Sequence, residues 1–113
     1  PPCVLTCPAR VNCQGYVALV GEGRFAEAFE LIRERNPFPS VCGRICHHPC
    51  EAECNRRELD EAVAINPLKR FVSDWVAQKR AAGEEVAPPP KGEVQAGKPP
   101  VAVVGGGPAL AGA

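Results

Sequence analysis

Apolar residues recur with helical spacing along residues 24–35 of the chain. The spacing i, i+3, i+4, i+7 marks one face of a helix, and the glutamates of this stretch fall on the other face. The apolar positions are Phe25, Ala28, Phe29 and Ile32. The pattern predicts an amphipathic helix. Asn36-Pro37 would end it, because a residue before proline is disfavoured in the α region.

A second apolar stripe runs through residues 62–81 and predicts another long helix. Its members are Val63, Leu68, Phe71, Val72, Trp75 and Val76. Pro67 would interrupt a helix that began at Ala62. We therefore expect a start near Asn66, with Asn66 as the N-cap and Pro67 in the first position. Residues 14–22 predict a shorter helix, and residues 1–13 predict a loop.

Residues 41–54, VCGRICHHPCEAEC, interrupt this helical pattern with a cysteine at every fourth position. Pro49 argues against one continuous helix. We expect a turn around Gly43 and His47-His48, followed by a short helix from Pro49. Cys50 and Cys54 would then share one helix face. The first two cysteines of the stretch would come from the preceding loop.

The composition changes sharply after the second long helix. Residues 83–100 contain five prolines and no aromatic residue, which predicts a linker that is partly extended as polyproline II. The letters VAVV at 101–104 then read as a buried strand running into GGGPALAGA. The sequence thus predicts a small all-α module at 1–82, a linker at 83–100, and the start of a truncated dinucleotide-binding domain at 101–113.

Charge and hydropathy exclude some function classes. Lys+Arg and Asp+Glu both total 13, so the net charge is zero, and we expect no strong attraction to nucleic acid or to an anionic membrane. No apolar run approaches the ~20 residues of a membrane span. No apolar core of a signal peptide is visible. We expect a cytoplasmic protein.

Seven cysteines in 113 residues are the chemical signal that remains. They are Cys3, Cys7, Cys13, Cys42, Cys46, Cys50 and Cys54. An odd count with x3 spacing fits disulfides poorly. Thiolates select zinc, copper(I) or iron–sulfur clusters, and four of them hold either a [4Fe–4S] cluster or a zinc ion. The split into two ligand sets and the adjoining VAVVGGGP favour iron–sulfur, because a flavin or nicotinamide domain needs an electron partner. A zinc-stapled interaction module without redox activity is the alternative.

The residues also resemble a known family. The run from CPARVNC through NPFPSVCGRICHHPCEAEC to AVAINPLKRF is similar to the N-terminal iron–sulfur domain of the glutamate synthase small subunit and of dihydropyrimidine dehydrogenase. The resemblance covers residues 1–80. It implies an α-helical ferredoxin-like fold with one or two [4Fe–4S] clusters. Such a module relays electrons between FAD, reduced by NAD(P)H in the next domain of the same parent chain, and a redox partner subunit.

The resemblance also implies two ligand sets. Cys3 and Cys54 match two ligands of one cluster, whose other two ligands lie in the family in an upstream C-x2-C pair that this sequence does not show. Cys7, Cys46 and Cys50 match three ligands of the other cluster.

At the position of the fourth ligand of the second set, the residue in this sequence differs from the family pattern. Several members have a Glu or Gln there, and the matching position here is Lys69, whose protonated amine cannot bind iron. Cys13 or Cys42 could replace the missing ligand. Lys69 and Arg70 either offset the negative charge of a cluster or are surface residues of a helix.

Hydrogen bonds to sulfur are a second expected influence on such a cluster. His47 and His48 are expected to be loop residues that tune the potential rather than ligands. The loop that contains Gly43 is expected to offer backbone N–H groups to sulfur.

The glycine run at the end of the chain matches a dinucleotide-binding fingerprint only in part. Gly105 and Gly107 are in place, but Leu110 stands at the third glycine position and Gly112 comes two residues late. The segment as given could not bind FAD alone. The module is therefore expected to lack a complete catalytic centre of its own.

Overall fold

A computed structural model describes residues 1–88, 97–99 and 102 of the chain. Within those residues the chain forms helices and turns and no strand, which confirms the all-α prediction for the described part. The helices are α1 (Pro2–Leu5), α2 (Cys13–Gly21), α3 (Phe25–Arg33), α4 (Pro39–Ile45), α5 (Pro49–Ala52) and α6 (Ile65–Ala81), with a 3-10 turn at Asn55–Glu58 between α5 and α6. Half of the predicted linker and, apart from residue 102, the strand predicted at 101–104 lie outside the described residues.

Helix α3 forms where its apolar spacing predicts. Ala28, Phe29 and Ile32 are buried, and burial of a side chain of the size of Ile or Phe contributes about 1.5–3 kcal/mol. The Phe25 ring meets Phe71 of α6 edge-on, with ring centroids 5.1 Å apart. It meets the Trp75 ring at 5.4 Å in a similar geometry. Aromatic side chains therefore join α3 to α6.

Helix α6 begins two residues earlier than expected, since its first residue is Ile65 rather than Pro67 and its N-cap is Ala64 rather than Asn66. The Asn66 side chain is used elsewhere, because its Nδ2 donates to the backbone oxygen of Gly43 at 3.1 Å. A carboxylate from α5 meets the start of the helix instead, since the Asn66 backbone N–H donates to Glu51 Oε1 at 2.7 Å. The first-turn N–H groups of a helix need such external acceptors.

The predicted loop over residues 1–13 is wrong at its start. Pro2–Leu5 form the short helix α1, with proline in the first turn, where its missing N–H costs no hydrogen bond. Thr6 Oγ1 donates to the backbone oxygen of Pro2 at 2.9 Å and satisfies one carbonyl of this turn. A four-residue helix has too few positions to show apolar periodicity, so only its proline could have signalled it.

The cysteine-rich stretch is more helical than expected. Cys42 lies inside α4, which begins at Pro39, and Cys46 follows as its extended C-cap residue. The expectation that both come from a loop is therefore wrong for Cys42. Helix α5 starts at Pro49 as predicted but ends at Ala52. Cys50 and Cys54 consequently do not share a helix face, because Cys54 lies beyond the helix.

The main core lies where α2, α3 and α6 meet, and it includes thiols. Its buried members are Val11, Cys13, Tyr16, Ala28, Ile32, Cys50, Ile65 and Val72. A smaller cluster joins Phe29 and Val76 to Ala87, so the first residues after α6 contact α3 and α6. None of the helices among the described residues is long and apolar enough to cross a membrane.

Candidate metal centre

Short helices bring the N-terminal cysteines against the second cysteine-rich stretch. Helix α1, which contains Cys3, packs on α5, which contains Cys50, and on the start of α2 at Cys13. Cys13 and Cys50 are buried in the main core, at 3% and 8% exposure. Cys3 and Cys7 pack against that core. Residues from three separate stretches of sequence thus converge in one region.

The pKa values of the Cys13 and Cys50 thiols are raised by burial and by nearby charged groups, including other cysteines. Burial, followed by nearby Cys50, Cys7 and Cys3, raises the pKa of the Cys13 thiol to about 12. Burial also raises the pKa of Cys50, with Glu51, Cys7 and Cys46 acting in the same direction. Cys7 and Cys46, which the resemblance places in one ligand set with Cys50, are thus both among the groups that act on the Cys50 thiol.

The other predicted set lines a cavity. Cys3 and Cys54 both face an opening of about 350 Å³ between α1, α2 and the 3-10 turn. Cys13 lines the same opening, and its Sγ donates to the backbone oxygen of Cys3 at 3.6 Å. Cavities that bind small molecules and cofactors have volumes of ~300–1,000 Å³. The opening therefore has room for a group larger than a single ion.

Of the two spare thiols, the structure places only Cys13 among the other cysteines. Cys42 lies on α4 with its Sγ 3.5 Å from Oδ1 of Asn36, which accepts the thiol proton. Cys42 does not contribute to the raised pKa of Cys13 or of Cys50. Cys13 is therefore the better placed candidate for a missing ligand.

The backbone between Cys46 and Cys50 turns sharply and points an N–H at sulfur. His48 has a φ of 44°, a left-handed conformation that costs energy for a residue with a side chain. Its N–H lies 3.3 Å from Cys46 Sγ and donates to it. The N–H group to sulfur thus comes from His48. The expected donor, the Gly43 loop, is instead a helical turn whose Gly43 oxygen accepts from Asn66.

Three polar contacts that the sequence does not predict hold the cysteine-bearing helices in place. Asn66 joins α4 to α6 through the Gly43 oxygen, and Glu51 joins α5 to α6 through the Asn66 N–H. The hydroxyl of Tyr16 donates to the backbone oxygen of Ile65 at 2.7 Å and joins α2 to α6. Each is a long-range contact, so no local pattern of residue types reveals it.

The donor chemistry fits an iron–sulfur cluster. All seven cysteines are unpaired thiols, which are the soft ligands that such clusters use. Within the described residues, no three Cys, His, Asp or Glu side chains already converge on the position of one metal ion. Gly105 and Gly107 lie outside the described residues.

Comparison with known proteins decides the family. The family model described as dihydropyrimidine dehydrogenase domain II, 4Fe-4S cluster, matches residues 1–81. The chain belongs to this family. The resemblance seen in the sequence is thereby confirmed, and the iron–sulfur interpretation of the cysteines is the one that the family supports.

Curated relatives of this iron–sulfur domain are subunits of oxidoreductases. The beta subunit of the NADPH-Fe(3+) oxidoreductase of Geobacter sulfurreducens is 44% identical over 108 residues, 96% of this chain and 15% of its own length. From Escherichia coli, the small chain of glutamate synthase [NADPH] is 35% identical over 96% of this chain and 22% of its own length. The PreT subunit of the NAD-dependent dihydropyrimidine dehydrogenase is 36% identical over the same share of this chain and 25% of its own length. The chain thus spans a quarter or less of these relatives.

Proposed function

We propose that this iron–sulfur domain relays single electrons inside an NAD(P)H-dependent oxidoreductase. The proposal rests on the match of residues 1–81 to a family described by its 4Fe-4S cluster, and the packing of Cys7 against the core that contains Cys50 supports it. Cys7, Cys46 and Cys50 would hold one cluster. Cys3 and Cys54, which face the cavity beside α1, would serve a second.

We assign the fourth thiolate of the first cluster to Cys13 rather than Cys42. Cys13 is 3% exposed and interacts with Cys50, Cys7 and Cys3. Cys42 is bound to Asn36. Lys69, at the position where the resemblance places a Glu or Gln ligand, has three donors and no acceptor in its charged form and cannot bind iron.

A bound cluster supplies one-electron chemistry, and the surrounding residues control access and charge. Burial of Cys13 and Cys50 keeps water from the thiolates and lowers the local dielectric constant. The His48 N–H donates to Cys46 sulfur and stabilises negative charge there. Because the pKa of Cys13 and of Cys50 is raised, each thiol keeps its proton until a metal displaces it.

The rest of the parent protein is proposed from its relatives. Those named above are NADPH- or NAD-dependent enzymes or subunits of them. We propose that residues 83–100 link the module to an FAD domain that begins at 101–113, where Gly105 and Gly107 would approach the pyrophosphate. A redox partner subunit would exchange electrons with the clusters. Seven unpaired thiols suit a reducing compartment such as the cytoplasm.

The test is an anaerobic assay of iron and acid-labile sulfide on the full chain, followed by electron paramagnetic resonance after dithionite reduction. About four irons and four sulfides per chain indicate one cluster, and about eight of each indicate two.

The variants C7A, C46A and C50A should lose iron, and C42A is the matched control that should keep it. Zinc without sulfide would overturn the proposed function in favour of the zinc-stapled module. Equal losses in C42A and C50A would overturn the ligand assignment.

A further inference from the structure

Lys69 occupies an unusual position for a cation, on the core-facing line of α6. Residues spaced i, i+4, i+7 and i+11 lie on one side of a helix. On α6 this line is Ile65, Lys69, Val72 and Val76, and its three apolar members are at most 3% exposed. Lys69 itself is half-buried. Its side chain therefore emerges between residues that face the core.

The ammonium group of Lys69 has no carboxylate to pair with among the described residues. The adjacent cation has such a partner, since Arg70 Nε lies 3.7 Å from Asp74 Oδ2. A half-buried cation without a counter-ion is costly, because removal from water is not offset by a partner charge. A negative group close to the Lys69 ammonium would offset this cost.

Ile65 and Val72, one turn on either side of Lys69, belong to the same core cluster as Cys13 and Cys50. The positive charge of Lys69 accordingly lowers the pKa of both thiols, against the effect of burial. Glu51 acts in the opposite direction on Cys50. Once the two sulfurs are deprotonated and bind metal, they are the negative partners that the ammonium lacks.

We propose that Lys69 is a positioning cation that raises the reduction potential of the centre held by Cys7, Cys46 and Cys50. The proposal rests on the function proposed above. Each electron accepted adds one negative charge to the centre and leaves the Lys69 ammonium unchanged. The attraction between them is stronger in the reduced state, and the low dielectric constant of the half-buried site limits screening. The ammonium therefore favours reduction without binding iron.

The test is an anaerobic redox titration of the full chain, monitored by electron paramagnetic resonance. K69L removes the charge and introduces no ligand, and K69R keeps the charge. R70L is the matched control, because it removes the adjacent charge from the exposed face. We expect K69L to lower the equilibrium constant for reduction about tenfold, which is 59 mV for a one-electron couple. K69R and R70L should stay close to the unmodified protein.

Three results would overturn the role of Lys69: an unchanged potential in K69L, a shift in K69R as large as in K69L, or a similar shift in R70L. If the K69L variant fails to bind a cluster, K69A serves as the second neutral variant. Loss of iron in both neutral variants but not in K69R would support the proposal, since the charge is then needed to hold the anionic group. Absence of sulfide from the unmodified protein would instead refute the proposed function.

Discussion

Burial and neighbouring sulfurs act together on the proton of Cys13. The thiol pKa rises from its ordinary value of 9.0 to about 12 in the folded chain. A group whose pKa is raised by folding stabilises the native state while both states keep the proton. That stabilisation is lost as pH rises above the unfolded value, because the unfolded state then binds fewer protons.

The cluster-free protein should therefore lose stability as pH rises from 9.0 towards 12. Cys13 alone would contribute a slope of up to about 1.4 kcal/mol per pH unit. Urea unfolding of the apo chain, under reducing conditions at a series of pH values, measures this slope. C13A should show a flatter dependence on pH, and identical slopes in the two proteins would contradict the raised pKa.

At the scale of single residues, the sequence identified the cysteines as candidate ligands but did not show what each side chain contacts. The resemblance groups Cys7 with Cys46 and Cys50, which stays a prediction, and Cys7 and Cys46 are both among the groups that raise the pKa of Cys50. It could not distinguish Cys13 from Cys42, because the burial of one and the contact of the other with Asn36 depend on packing between distant segments. The role of Asn66 also depends on distant segments. It is not an N-cap, because its side chain donates to the Gly43 oxygen and its backbone N–H donates to Glu51.

The contact between α4 and α6 depends on the missing side chain of Gly43. A Cβ at this position would lie 3.0 Å from the Cα of Arg70, a backbone atom that cannot move aside alone. The same approach allows the Gly43 oxygen to accept from Asn66. Since Cys46 follows three residues later, the position of this ligand depends on the close packing of the two helices.

We expect G43A to destabilise the protein by about 1–3 kcal/mol, the typical cost of overpacking, and to reduce its iron content. Alanine favours a helix over glycine by up to about 1 kcal/mol, so propensity acts in the opposite direction. G21A is the control, because a Cβ there meets nothing within 4 Å and should be neutral or stabilising. Chemical denaturation with iron analysis measures both. Equal effects of the two variants would show that close packing at Gly43 is unimportant.

Helix periodicity explains which elements could be predicted. Helices α3 and α6 are long enough to show an apolar stripe, and both were predicted to within a few residues. Helices α1 and α4 have four and seven residues, which is too short for a period to emerge. Each begins with a proline, which in sequence suggests a break in a helix as readily as a start.

At the scale of the whole molecule, the packing of helices α3 and α6 also includes residues 84–88, which follow α6. Arg33 of α3 and Arg80 of α6 donate to backbone oxygens of residues 86–88, and Arg80 also lies over the Phe29 ring at 5.6 Å. Ala87 is 5% exposed and has a φ of 44°. Segment 84–88 is thus held on the helices at the point where the sequence predicts only a linker. Proline content indicates extended backbone but not what that backbone contacts.

R80A should loosen segment 84–88 and leave the helices intact. Loss of its hydrogen bonds would weaken the segment by about 1 kcal/mol, which corresponds to roughly fivefold faster amide exchange. Hydrogen exchange read by mass spectrometry measures this at residues 84–88. R35A is the control, since the Arg35 side chain makes no hydrogen bond within the described part. Unchanged exchange in R80A would show that the apolar contacts of Ala87 hold the segment without the arginine.

The packing of α1 on α5 has a consequence for biosynthesis. Cys7 leaves the ribosome about 43 residues before Cys50, a delay of roughly 2–9 s at ordinary rates of translation. During that interval the early thiols lack the second cysteine-rich stretch, because neither helix α5 nor Cys50, the sulfur that most raises the pKa of Cys13, is present. A nascent chain would then expose more acidic and more easily oxidised thiols than the finished domain. Insertion of the metal group is therefore expected to follow translation of α5, and cells that delay this step would accumulate oxidised early cysteines.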